Sequence, residues 1–256
     1  MTKRTLMATA TLCVTTVMAL TACGTDKKTD TKETDGSGST TAEAFKGLTA
    51  NQISEKARVA MTKLDSFKVA GTMTTDGQHM TFDFSVAKAG DCQGTFTTGG
   101  ASAEIRQIGD AAYMKGDEKF WQQMGSKDGS SSEDTDALIQ MLKGRWFKMP
   151  AQDAKKEDKF PFCDIDTMFE KDKKESHLTR KADTEVNGTP AVTLTGKDGA
   201  ATQTLLVAAK GEPYALRMTV KGGKEPGSFD FSAFNKPVTV TPPPAGEVMD
   251  PEKLKG

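Results

Sequence analysis

The segment 67–86 constrains the fold more than any other part of the sequence, because its apolar residues alternate on both sides of an Asp76-Gly77 dipeptide. An Asp-Gly pair is typical of a two-residue hairpin turn whose backbone matches the twist of the two strands. The predicted pairs on one face are Met73 with Met80, Gly71 with Phe82, Val69 with Phe84, and Phe67 with Val86. A shift of one residue would turn all of these to the other face, so the sequence predicts a well-defined antiparallel hairpin.

Similar short segments recur along the chain and predict that the sheet continues. They follow Cys92, centre on Ile105 and Tyr113, and include 120–124 and 146–149. Five more are predicted at 178–186, 191–195, 202–209, 214–220 and 229–231, and the domain is expected to close at 237–240 before an extended tail. Within 214–220 the residues Tyr214, Leu216, Met218 and Val220 alternate with mostly polar ones. This pattern is typical of an antiparallel sheet with one apolar face.

Three helices are also predicted, one before the first strand and two between later strands. Thr49 and Gln52 form a capping box before apolar residues at helical spacing. A second helix is expected at 133–143 and a shorter one at 164–171. The apolar residues of the second helix are expected to face inward, namely Ala137, Leu138, Met141 and Leu142.

Residues 1–22 have the layout of a signal peptide, with Lys3 and Arg4 ahead of an uncharged stretch that ends in small residues. The stretch is shorter than the roughly twenty residues that span a membrane. The next residues, Leu20-Thr21-Ala22-Cys23-Gly24, resemble the bacterial lipobox, in which the cysteine thiol receives diacylglycerol and cleavage occurs before it. We therefore expect Cys23 to be acylated, with an ordinary secretory signal beside a chance cysteine as the alternative.

Composition changes sharply after Cys23. The stretch 24–44 is polar and charged, without bulky apolar residues, and such a segment cannot bury enough surface to fold. We expect an acylated N-terminus and disordered tether at 23–46, a single domain at 47–250 and a short tail at 251–256.

Two cysteines remain once Cys13 leaves with the leader and Cys23 is acylated. These are Cys92 and Cys163, which lie 71 residues apart. An even pair in an oxidising compartment favours a disulfide. The alternative is two separate buried thiols.

The rest of the composition points away from several function classes. The net charge of -1 does not suggest nucleic-acid binding. His79 and His177 are the two histidines, and no catalytic, metal-binding or phosphate-binding motif accompanies them. We predict no enzyme activity, no cofactor and no metal site.

Four short segments are informative about the family: 113–116 with Phe120-Trp121, 144–150, 210–213 and 229–238. Together with the lipobox, the polar stretch, the first helix and the run of short strands, they resemble the actinobacterial LppX/LprG-type lipoproteins, which have a LolA-like fold. The resemblance implies an α+β half-barrel of about ten or eleven antiparallel strands whose helices cover a concave apolar face. It also implies that this face holds the acyl chains of a lipid.

The leading functional hypothesis is a lipoprotein, lipid-anchored at the extracytoplasmic face of the cell membrane, that binds or transfers a lipid or other hydrophobic ligand. Strand alternation gives candidate cavity residues, which are Met73, Phe82, Phe84, Leu216 and Met218. The alternative is a cell-envelope interaction or sensory module with a filled core. Strand alternation predicts which side chains lie on the buried face, and both hypotheses place these residues there. It therefore does not distinguish a ligand cavity from a filled core.

Overall fold

The computed structural model describes residues 45–127, 131–149, 161–170 and 177–254. The predicted signal peptide, Cys23 and nearly all of the tether lie outside these residues, as do residues 255–256 of the tail. The domain boundaries therefore stay predictions.

Four α-helices and thirteen strands make up the described part of the chain. The helices are α1 (Ala50–Thr62), α2 (Glu118–Lys127), α3 (Ser132–Leu142) and α4 (Ile165–Met168). The strands are β1 (Ser66–Thr75), β2 (Gln78–Ala87), β3 (Cys92–Thr98), β4 (Ala101–Ile108), β5 (Ala111–Gly116), β6 (Trp146–Lys148), β7 (Thr179–Arg180), β8 (Thr184–Val186), β9 (Thr189–Asp198), β10 (Ala201–Ala208), β11 (Ala215–Lys221), β12 (Gly227–Ser232) and β13 (Val248–Met249). Single 3-10 turns lie at Pro161–Cys163, Ala245–Glu247 and Pro251–Leu254.

All of these strands join one sheet, in the order β13-β6-β5-β4-β3-β2-β1-β12-β11-β10-β9-β7, with β8 also paired to β9. The pairing is antiparallel except between β6 and β13. The α+β class with a large, mostly antiparallel sheet and few helices is thus confirmed. The strands beyond the predicted ten or eleven are accounted for by segments of two or three residues, such as β7 and β13.

The central hairpin has the predicted register at every pair, from Phe67 with Val86 to Met73 with Met80. Both turn residues have positive φ, 52° at Asp76 and 74° at Gly77. A type I′ turn requires this backbone at both positions, so the dipeptide determines the register.

The predicted strand at 120–124 is wrong, because these residues belong to α2. The Asp117 carboxylate accepts a 2.7 Å hydrogen bond from the Phe120 amide and so caps the helix. Phe120 and Trp121 are both buried although they are adjacent. Helical geometry allows this, whereas neighbouring strand residues point to opposite faces.

Helix α3 forms where predicted, and two of its four predicted inward residues face the core: Leu142 is buried and Leu138 packs half-buried against the main cluster. The prediction is wrong for Ala137 and Met141. The buried residues of α3 are Thr135, Ile139 and Leu142, while Met141 is 45% exposed. Ala137 is also exposed. The Thr135 hydroxyl donates to the Ser131 carbonyl at 2.9 Å, and this bond allows a polar residue to face the core.

Several boundaries differ from the prediction. The segment 178–186 is broken into β7 and β8, and the third predicted helix is only α4. The tail expected to be extended instead makes two 3-10 turns around β13. A 2.9 Å ion pair between Lys148 and Asp250 ties this tail to β6.

Buried apolar side chains in the described residues form three clusters. The main cluster lies on the sheet face that carries Phe67, Val69 and Phe84, which we call the inner face. The second cluster packs α1 against β9 and β10. The third is small and contains Val186, Ala191, Ala208 and Leu216.

Candidate functional site

One line of register partners crosses seven neighbouring strands on the inner face. We call this line the inner row; from β3 to β9 it consists of Phe96, Phe82, Gly71, Phe229, Met218, Leu205 and Leu194. With neighbouring strands about 4.8 Å apart, the row is on the order of 30 Å long. It forms a continuous, nearly all-apolar band across the sheet.

Burial decreases along the strands toward the tip of the β1–β2 hairpin. On the side away from the tip, Phe67, Val69 and Phe84 are at most 1% exposed. Four members of the inner row, by contrast, are only half-buried: Phe96, Leu205, Met218 and Phe229. The apolar face is therefore closed at one end and partly accessible at the other.

Gly71 is the one position of the inner row without a side chain. A Cβ atom built there would lie 1.9 Å from the Ser228 carbonyl oxygen, so close approach of β12 to β1 requires glycine. Beside this gap the rings of Phe82 and Phe229 approach to 5.4 Å between centroids.

Two phenylalanines from the segment 161–170 cover the middle of the inner face. The ring of Phe162 stacks on Phe82 at 4.6 Å and on Phe84 at 5.4 Å. The ring of Phe169 lies 5.7 Å from Phe67. As predicted, a disulfide joins Cys92 to Cys163, and it ties this segment to β3.

A cleft of about 500 Å³, whose exposed wall is more apolar than polar, opens at the tip of the β1–β2 hairpin. It lies between the ends of β1, β2 and β3 and the side of α2. Its lining residues are Thr75, Asp76, Gln78, Met80, Thr98, Lys119, Gln122, Gln123 and Ser126. Apart from Met80 and the two charged residues, these side chains carry hydroxyl or carboxamide groups, which both donate and accept hydrogen bonds.

The structure brings four of the five cavity candidates together. Phe82 and Phe84 belong to the main cluster, and Met73 and Met218 pack against it half-buried. Leu216 instead belongs to the third cluster, so its predicted place beside Met218 is wrong. The cause is a bulge in β11: Leu206 pairs with Arg217 and Val207 with Ala215, which leaves Leu216 as the extra residue and shifts the alternation.

Two ion pairs join neighbouring strands on the opposite face of the sheet. Lys68 and Asp83 form an ion pair at 2.9 Å, and Arg217 pairs with Asp230. In the described residues, no group of three or more His, Cys, Asp or Glu side chains could hold a metal ion. Both histidines are exposed.

Asp117 fixes the helix that forms one wall of the cleft. Burial acts to raise the pKa of its carboxyl group, but hydrogen bonds from Phe120 and Ser102 outweigh this, so the pKa lies below its ordinary value. Ser102 contributes both its amide and its hydroxyl, each at 2.8 Å. The carboxylate thus links α2 to the start of β4.

Sequence reasoning missed the residues that cover the inner face and those that line the cleft. The position of Phe162 near the sheet could have been predicted. It directly precedes Cys163, and the predicted disulfide places that cysteine beside the strand that begins at Cys92. For Lys119 and Gln123 the signal was the Asp117 cap, which would have predicted a helix instead of a strand.

No protein-family model matches the sequence, and a search of the curated proteins found no match. Among solved structures, the chain is similar to the Mycobacterium tuberculosis lipoprotein LppX, with 17% identity, 75% of this chain and 98% of that chain covered, and a TM-score of 0.47. It is also similar to LprF from Mycobacterium bovis, with 14% identity, coverage of 76% and 96%, and a TM-score of 0.47. A LolA superfamily protein from Nitrosomonas europaea matches with 11% identity, coverage of 73% and 93%, and a TM-score of 0.27.

Proposed function

We propose that this protein is a lipoprotein, anchored at the extracytoplasmic face of the cell membrane, that binds or transfers a lipid or other hydrophobic ligand without a chemical step. The observation that carries the proposal is the half-buried part of the inner row. Apolar side chains such as Met218 and Phe229 stay partly accessible although the same face is fully closed further along the strands.

The energetics favour an apolar occupant at this place. Covering apolar surface contributes about 25 cal/mol per Å² removed from water. A band of half-buried Met, Leu and Phe side chains therefore gains stability from a hydrocarbon chain laid along it. Met218 also adapts its shape readily, because methionine is unbranched and flexible.

The anchor in this proposal is Cys23, supported by the lipobox and by the charged and apolar regions of the leader. Two acyl chains hold a protein stably on a bilayer, whereas one gives only marginal binding. Among the described helices, none is long and apolar enough to span a membrane. In this proposal the tether of some twenty residues would span a few nanometres, since a flexible chain reaches on the order of 5 to 6 Å times the square root of its length.

A second candidate function is an interaction or sensory module with a filled core. The stacking of Phe162 on Phe82 and Phe84 favours it, since these rings fill the middle of the inner face with protein. The two candidates differ in whether a lipid accompanies the purified protein.

The test is to purify the full chain from its own membrane in mild detergent and to measure bound lipid by native mass spectrometry and solvent extraction. We expect a stoichiometric lipid beyond the covalent anchor. A chain free of lipid, which also fails to take up Nile red or oleoyl lipids, would support the filled-core module instead.

A further inference from the structure

We infer that the cleft at the hairpin tip binds the uncharged, hydroxyl-bearing headgroup of an amphiphile, through the hydroxyl and carboxamide groups that line it. The hydrocarbon chain of the same ligand would lie along the inner row. This inference rests on the proposed function and specifies its ligand class and orientation.

The cleft continues the inner face beyond its apolar part. Because alternate strand residues share a face, Thr75 follows Met73, and Gln78 precedes Met80, on the same side of the hairpin. On β3, Thr98 follows Phe96 in the same way. The inner face thus changes from apolar to polar within one side-chain step of about 7 Å along each strand.

Two carboxamide groups converge at the turn between β3 and β4. A Cβ atom built on Gly99 would lie 3.1 Å from Nε2 of Gln123 and 3.3 Å from Oε1 of Gln78. One amide nitrogen and one amide oxygen therefore approach the same point from α2 and from β2. Such a pair offers a donor and an acceptor to a hydroxyl group, which itself both donates and accepts.

A further polar group at the wall lacks a partner. The hydroxyl oxygen of Thr75 is buried and makes no hydrogen bond within the part of the chain that the structure describes. Burying a hydroxyl without a partner is unfavourable, so a polar ligand that reorganises this corner would relieve the cost.

The charges at the cleft oppose an anionic headgroup. Lys119 is the cation of the lining and Asp76 the anion. The carboxylate of Asp117 is also close enough to interact electrostatically with Lys119. Because these two carboxylates offset the positive charge of Lys119, we expect the cleft to recognise a headgroup by hydrogen bonds rather than by an ion pair.

The experiment compares three ligands with the same oleoyl chain: monooleoylglycerol, oleate and methyl oleate. Each is titrated at neutral pH against Nile red bound to the delipidated full chain carrying Cys23→Ala, which removes the predicted anchor. We expect monooleoylglycerol to bind about tenfold more tightly than the other two. The double variant Gln78→Ala/Gln123→Ala should abolish this preference and leave binding of methyl oleate unchanged.

The matched control is Gln140→Ala, which removes an exposed carboxamide on α3 away from the cleft and should change nothing. Equal binding of all three ligands, or a preference that survives the double variant, would overturn the headgroup site and leave the proposed function intact. Tightest binding of oleate, lost in Lys119→Gln, would replace it with an anionic site. If none of the ligands displaces Nile red or binds directly, both this inference and the proposed function fail.

Discussion

The ring of Phe162 lies stacked on the ring of Phe82, 4.6 Å between centroids, and the next residue, Cys163, is bonded covalently to β3. Packing and a covalent link therefore hold the same segment over the inner face. Phe162 contacts two of the cavity candidates, Phe82 and Phe84. A ligand that reaches these two rings must therefore displace the ring of Phe162.

The double variant Cys92→Ser/Cys163→Ser is expected to lower the free energy of unfolding by about 4 kcal/mol, the chain-entropy value for a loop of 71 residues. Urea denaturation followed by circular dichroism measures the change. Reductant should destabilise the parent by a similar amount and leave the variant unaffected. An unchanged urea midpoint after verified reduction would contradict this expectation.

Phe162→Ala should lower the free energy of unfolding by about 2 kcal/mol, less than for a fully buried ring because Phe162 is half-buried. It should also increase the amount of lipid retained, since the ring leaves the surface of Phe82 and Phe84. Phe234→Ala is the control: it removes a half-buried ring whose centroid lies 4.5 Å from that of Tyr214, with the two rings tilted by 31°. Lower stability with no lipid in either variant would indicate a solid core.

Met218→Trp and Leu216→Trp form a matched pair on one strand. Met218 lies half-buried in the inner row, so the larger ring should displace ligand with little loss of stability. Leu216 is buried in the separate third cluster, where overpacking typically costs about 1 to 3 kcal/mol, and it should leave ligand binding unchanged. Native mass spectrometry and thermal unfolding separate the two effects. Strong destabilisation by Met218→Trp would argue against an accessible row.

Asp117→Ala should cost about 1 kcal/mol at neutral pH because α2 loses its cap. The pKa of Asp117 lies below its ordinary value of 3.8, so the stability it contributes is present above that pH and is lost as the pH falls through the lower, folded-state value. The stability gap between parent and variant should therefore shrink at about pH 2 relative to pH 7. Asp117→Asn keeps a capping side chain and serves as the control. An equal difference in unfolding free energy between parent and Asp117→Ala at both pH values would show that the charge of Asp117 does not contribute to stability.

Cys23→Ala should move the protein from the detergent phase to the aqueous phase on phase partitioning, because both expected acyl chains attach through that residue. Lys28→Ala, within the same polar stretch, should leave partitioning unchanged. If the cysteine variant stays with membranes after a high-salt wash, another segment anchors the chain.

The sequence predicted those parts of the fold that local chemistry determines. The β1–β2 register follows from two turn residues, and α1 begins at a capping box in which Thr49 and Gln52 hydrogen-bond each other's amides, as expected. The disulfide could be predicted by elimination, since two cysteines remained after the leader and lipobox were assigned.

The missed features depend on tertiary contacts or on competing local signals. The segment 120–124 is as short as a strand, but its apolar residues Phe120, Trp121 and Met124 have helical rather than alternating spacing. The Asp117 cap starts this helix. A bulge that shifts Leu216 has no strong sequence signal, because nothing in the alternation of 214–220 marks the extra residue. The position of Phe162 over Phe82 depends on a contact across 80 residues of sequence.

The pairing of β1 with β12 has a consequence for how the chain reaches this structure. Strand β1 lies between its hairpin partner and a strand made near the end of the chain, with Lys68 opposite Ser232. We propose that the chain is exported and emerges N-terminus first, so strands β1 to β5 can pair early. The other edge of β1 stays unpaired until β12 becomes available. Closing a loop of that length is slow, and an open strand edge invites pairing with other chains in the meantime. We therefore expect β1–β12 closure to limit the folding rate.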